Sequence, residues 1–128
     1  MMARIACFTD CDDVAATLQS ELQHSSHEWF VFPASRLDQA LRNDVQSFCP
    51  DLMLLELNQA LDNIHLLFFL SIEEAIRHAP LVFISADTNV RQQAFMFNAD
   101  GALHYPFSAD QLWDVLTAFV PQERAAAA

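Results

Sequence analysis

The chain has 128 residues, 53% of them apolar, a single glycine and a formal net charge of −11. That length suits one domain closing one hydrophobic core, and the apolar content excludes a disordered or low-complexity chain. So much negative charge repels phosphate backbones and anionic membranes, so no nucleic acid and no membrane is expected as a partner of this domain. A neutral or basic protein surface fits better.

The first predicted element is a short apolar strand, Arg4 to Phe8, which stops at Thr9-Asp10. Asp12 to Leu22 follows as a helix, with Val14, Leu18 and Leu22 on one stripe and acids in the first turn, where the helix dipole favours them. His27 to Phe32, aromatic and β-branched, reads as a second strand ended by Pro33. Ser35 is placed as the cap of a second helix carrying Leu37, Leu41 and Val45 and stopping before Pro50. The third strand is Leu52 to Leu57, and a helix is expected from about Asp62 to His78. Leu81 to Ser85 is the fourth strand, and Thr88 to Asn98 the next helix, with Gly101 punctuating its exit. Ala102 to Tyr105 makes a brief fifth strand. Ser108-Ala109-Asp110-Gln111 reads as a capping box opening a last helix through Leu112, Val115, Leu116 and Phe119.

Five strands alternating with five helices imply an α/β fold, a doubly wound five-stranded parallel sheet with helices on both faces. Parallel strands need crossovers, and crossovers are right-handed. The folded unit is expected over residues 1–121, with 122–128 as a tail or the start of a linker. The longest apolar run, Leu66 to Leu70, is too short to span a bilayer and no signal segment opens the chain, so a cytoplasmic location is expected. Cys7, Cys11 and Cys49 cannot all pair and lack metal-ligand spacing, and the five histidines are scattered; reduced thiols and no metal site are expected. No glycine-rich loop follows the first strand, which disfavours a nucleotide- or flavin-binding enzyme. No cofactor and no enzymatic activity are expected.

Four landmarks, taken in order, give the chain a resemblance to the response-regulator receiver family from Arg4 to about Val120. Thr9-Asp10 falls where that family has an acidic pair. Pro50 through Glu56 matches its third strand, with Glu56 at the phosphoacceptor aspartate. Ser85-Ala86 matches the hydroxyl residue ending the fourth strand. Asn98 through Phe107 matches the approach to a Lys-Pro-Phe signature, with Tyr105 in the lysine position. The resemblance implies the (βα)5 flavodoxin-like fold, a cis bond before Pro106, and a pocket that holds Mg²⁺ and a phosphoryl group.

That pocket departs from the family pattern. Thr9 replaces an acid, Glu56 is longer than the acceptor by a methylene, and Tyr105 removes the cation that would clamp an acyl phosphate; Asp10 and Ser85 remain. Ala102 stands where receivers relay the switch through an aromatic residue. Glu56 has two readings: a built-in mimic of the phosphorylated state, or a drifted residue in a pocket without chemistry. The chain is therefore expected to be an atypical, phosphorylation-independent receiver, a pseudo-receiver acting by protein interaction, with an output domain beyond it. The alternative is a working phosphoacceptor of a two-component phosphorelay. Two interaction faces are expected, with a homodimer as one outcome. One is the outer side of the Ile64 to Arg77 helix, through Leu66, Phe69 and Leu70, unless neighbouring helices bury those residues. The other, implied by the resemblance, is the face of the last two helices and strand five, through Gln92, Phe95, Gln111 and Asp114.

Overall fold

The computed structural model describes residues 2–57 and 64–120. The elements run β1 (Arg4–Phe8), α1 (Asp12–Leu22), β2 (Glu28–Phe32), α2 (Gln39–Phe48), β3 (Leu52–Glu56), α3 (Ile64–Ile72), β4 (Leu81–Ser85), α4 (Val90–Met96), β5 (Gly101–His104) and α5 (Ala109–Leu116). All pairings are parallel and the strand order is β2-β1-β3-β4-β5. The expected doubly wound sheet is therefore present, and every connection between neighbouring parallel strands is a crossover.

The inner strands are apolar without a break because both their faces are covered. Successive side chains leave opposite faces of a strand, so each strand feeds two cores. Ala6, Phe8, Met53, Leu55 and Phe83 join Leu41 and Val45 of α2 and Val90 of α4 on one side. On the other, Ile5, Cys7, Leu52, Leu54, Val82 and Ile84 join Val14, Leu18 and Leu22 of α1 and Leu112 and Leu116 of α5.

Several boundaries differ from the sequence reading. The cap of α2 is Asp38, whose Oδ1 accepts the Leu41 N–H at 2.8 Å, so Ser35 and Leu37 lie in the preceding loop. His27 precedes β2 and is buried, its Nδ1 accepting the Ala3 N–H at 2.9 Å. The helix expected from Asp62 to His78 ends at Ile72; its proposed first residues lie outside the described ones. A turn follows, with Arg77 N donating to Glu73 O at 2.7 Å, and it buries Ile76 as a further helix turn would have done. Gly101 begins β5 in place of ending a helix. The left-handed positions, where glycine is the usual choice, fall on Cys49 (φ 57°) at the end of α2 and on Asn98 (φ 62°).

The face assigned to α3 also requires correction. Leu66, Phe69 and Leu70, expected on its outer side, are buried, with Phe69 only 7% exposed; Phe68 and Ile72 are the large apolar residues that meet solvent, beside exposed His65 and Ser71. The helix is apolar all round, so periodicity could not choose its orientation. In the structure Leu66, Leu67 and Leu70 fill the core beneath it, and the Phe69 ring lies under the Arg42 guanidinium of α2 at 5.8 Å. Each buried leucine contributes about 1.5–3 kcal/mol, so this orientation wins over one that exposes all of them. These residues offer no binding surface.

Candidate functional site

The five positions singled out in the sequence come together at the carboxyl ends of adjacent strands, where open α/β sheets hold their ligands. Thr9 and Asp10 follow β1, Glu56 ends β3, Ser85 ends β4 and Tyr105 follows β5. The ladders fix their relative heights. Phe8 pairs with Leu55, Glu56 with Ile84, and Ser85 with His104. Beyond the ladders, Leu57 N donates to Ile84 O at 2.8 Å and Tyr105 N to Ser85 O at 2.8 Å.

Thr9 and Glu56 are joined directly. The buried Thr9 hydroxyl accepts the Cys11 N–H at 3.0 Å, which orients its own hydrogen towards a second partner. That partner is Glu56 Oε1, which accepts from Thr9 Oγ1. A hydroxyl held in this way is a neutral donor to the carboxylate, whereas an acid at the same position would add a second negative charge beside it. Asp10 turns elsewhere: its Oδ1 accepts the Ala34 N–H at 3.1 Å and so pins the loop after β2. Ser85 mirrors Thr9, accepting the Asp87 N–H at 3.0 Å to turn the loop after β4.

Tyr105 packs among aromatic and apolar side chains. The Tyr105–Pro106 peptide is cis, as expected. The Tyr105 ring meets Phe107 edge-on at a centroid distance of 5.7 Å, and both pack with the α1–α5 core. Its hydroxyl forms no hydrogen bond among the described residues, so the position supplies neither a cation nor a donor to Glu56. Ser108 and Gln111 form the expected capping box at the start of α5, through bonds of 2.8 and 3.1 Å.

A divalent metal suits this donor set poorly. Mg²⁺ takes oxygens in near-ideal octahedral geometry, but here one candidate oxygen belongs to a hydroxyl that donates to Glu56, and Asp10 is engaged with a backbone amide. Among the described residues no group of three or more His, Cys, Asp or Glu side chains is placed to hold a metal ion.

The second expected face is exposed. Gln92, Phe95, Gln111 and Asp114 all reach solvent, Phe95 at 86% exposure with Met96 beside it. Between α4 and α5, across β5, runs a groove of about 300 Å³ lined by Arg91, Ala102, His104, Gln111 and Asp114. The sequence reading missed a second groove, of about 390 Å³, bounded by Phe30, Phe32, Asp44, Ser47 and Phe48. Its only sequence signal was a third aromatic residue in the Trp29-Phe30-Val31-Phe32 run, and the sequence does not place that strand at the sheet edge.

Comparison with solved structures identifies the architecture. The chemotaxis response regulator CheY4 of Vibrio cholerae superposes with a TM-score of 0.77 over 94% of this chain and 100% of that one, at 15% identity. The fold is that of a response-regulator receiver. The receiver domain of a modulated diguanylate cyclase from Desulfovibrio desulfuricans matches with a TM-score of 0.72 over 98% and 99% of the two chains, at 20% identity. NtrX from Brucella abortus matches at 0.75 and 24% identity, with 99% of this chain laid on 28% of NtrX. No family model matches the sequence, and no curated protein does so significantly. The receiver likeness thus lies in the backbone, and at the receiver's reacting end this chain carries Thr9, Glu56 and Tyr105. No helix among the described residues is long and apolar enough to cross a membrane.

Proposed function

We propose that this receiver works without phosphorylation, as a protein-binding regulatory module in bacterial signalling or localisation, N-terminal to an output domain. The observation that carries the reading is the Thr9–Glu56 hydrogen bond: the carboxylate at the acceptor position is held by a neutral donor from the chain itself. Attack on a phosphodonor needs a free carboxylate oxygen in line with the donor and a metal to neutralise the developing charge. Glu56 is engaged, Asp10 is turned to Ala34, and Tyr105 brings no positive charge. The α4–β5–α5 face, with exposed Phe95 and Met96, is the surface through which the module binds a partner or a second copy. The match to 28% of NtrX supports a place within a longer protein.

Intact-mass measurement after incubation with acetyl phosphate and Mg²⁺ tests the reading. The expected spectrum shows the unmodified mass, and beryllium fluoride leaves the amide spectrum unchanged. Glu56→Asp alone does not restore reaction, because Thr9 and Tyr105 remain. A stable gain of one phosphoryl mass, lost in Glu56→Gln, overturns the proposal in favour of a working phosphoacceptor.

A further inference from the structure

The groove beside β2 adjoins an open sheet edge. Among the described residues β2 pairs with β1 alone. Glu28 N donates to Ala3 O at 3.0 Å and Phe32 O accepts from Thr9 N at 3.0 Å. Because backbone groups alternate sides along a strand, Glu28, Phe30 and Phe32 point at β1, while the N–H and C=O of Trp29 and Val31 point outward. Natural edges of this kind are blunted by lysine, proline, a bulge or an inward charge. This one has none of these within the strand, and the Glu28 carboxylate is paired with Arg4 Nε at 3.0 Å.

The side chains along the edge make a receptor for an added strand. Phe30, 54% exposed, stands 4.7 Å from Phe32 and 6.4 Å from Phe48 between ring centroids, and Phe32 in turn stacks on buried Phe8 at 5.3 Å. The outermost ring is thus held by a ladder that runs into the core. Asp44 is exposed at the rim of the groove and forms no hydrogen bond or ion pair among the described residues.

We propose that the outer edge of β2 and the Phe30–Phe48 groove bind an extended segment of a partner protein, which joins the sheet as a sixth strand. Main-chain bonds to Trp29 and Val31 would give affinity, and alternate side chains would give specificity. An apolar residue of the segment fits against Phe30 and Phe48, and an arginine or lysine two positions away, on the same face of the added strand, meets Asp44. A second copy of this chain is the poorer occupant. Two chains of formal net charge −11 repel, and pairing two β2 edges would bring one Asp44 towards the other. This surface is separate from the α4–β5–α5 face, and neither depends on the other.

The test is amide hydrogen exchange of the protein with a capped octapeptide that alternates arginine with valine and carries phenylalanine in place of one central arginine, so that the ring and the remaining arginines share a face. At about 1 mM peptide, exchange at Trp29 and Val31 is expected to slow by about tenfold, while Phe30, already bonded to β1, is unchanged. Val31→Pro removes an outward donor at a position where edge strands tolerate proline, and it abolishes the protection. Phe30→Ser, which removes the half-exposed outer ring and leaves the outward donors of Trp29 and Val31 in place, weakens binding and serves if the proline variant does not fold. The same peptide with glutamate for arginine gives no protection. Unchanged exchange with the basic peptide, or equal protection by the acidic one, overturns the proposal. Protection that grows with protein concentration in the absence of peptide also overturns it, by making a second copy the occupant.

Discussion

Replacing Thr9 by valine keeps the shape of the side chain and removes only the hydroxyl, so it isolates the bond to Glu56. A hydrogen bond to a charged group contributes about 1.5–3 kcal/mol, and a buried amide left without its acceptor costs about 1–3 kcal/mol. Glu56 and Cys11 are both half-buried, so water recovers part of each loss. A destabilisation of roughly 2 kcal/mol is therefore expected, enough to lower the thermal midpoint by roughly 6–10 °C in a domain of this size. Urea unfolding at neutral pH reads it as a fall in midpoint of about 1 M with an unchanged slope. Thr9→Ser keeps the hydroxyl and loses one buried methyl, so it should cost less, about 0.8 kcal/mol. A valine variant within about 0.5 kcal/mol of the parent, or a serine variant as damaging as valine, would refute the weight placed on this bond. Pairing each with Glu56→Gln in a double-mutant cycle separates the contact from the rest of the site.

Leu70→Glu places an unpaired carboxylate in the core and should unfold the domain by circular dichroism, costing several kcal/mol. Phe95→Glu should instead stay within about 0.5 kcal/mol of the parent while weakening any association through α4–β5–α5, read by light scattering. Burial pushes the Cys7 thiol from 9.0 up to about 12. The folded state thus holds a proton that the unfolded chain gives up, and stability falls as pH rises from 9.0 towards about 12. Cys7→Ala should flatten that slope, and in the native parent at pH 8 a thiol reagent should label exposed Cys49 and leave Cys7 untouched. Cys49→Gly relieves a left-handed side-chain position and should raise stability by about 0.5–1 kcal/mol in thermal melts.

What could be read from the sequence follows from how strongly local chemistry constrains each element. β1 and β4 are found at their observed bounds, because buried apolar runs flanked by turn residues have no other use than as inner strands. α1 and the Ser108–Gln111 box were equally legible, one from a clean apolar stripe and the other from a reciprocal capping pattern. The start of α2 was not, since Ser35 and Asp38 are both capping residues and only the fold decides between them. α3 misled because a helix that is apolar all round carries no facing information; tertiary packing alone turned Leu66 and Leu70 inward and left Ile72 outside. The site positions were legible as landmarks along the chain. The bond between Thr9 and Glu56 was not, because it needs the register that brings the ends of β1 and β3 side by side.

Thr9 clasps Glu56 from the moment the strands are in register, and on the proposed function this leaves the module without a chemical off position. A signalling element set at birth conveys information through its abundance and lifetime. Folding free energy then becomes a control parameter. A loss of about 1.4 kcal/mol raises the unfolded fraction tenfold, and with it exposure to proteolysis, so a substitution in the core, remote from any binding face, would retune the signal by changing how many copies survive.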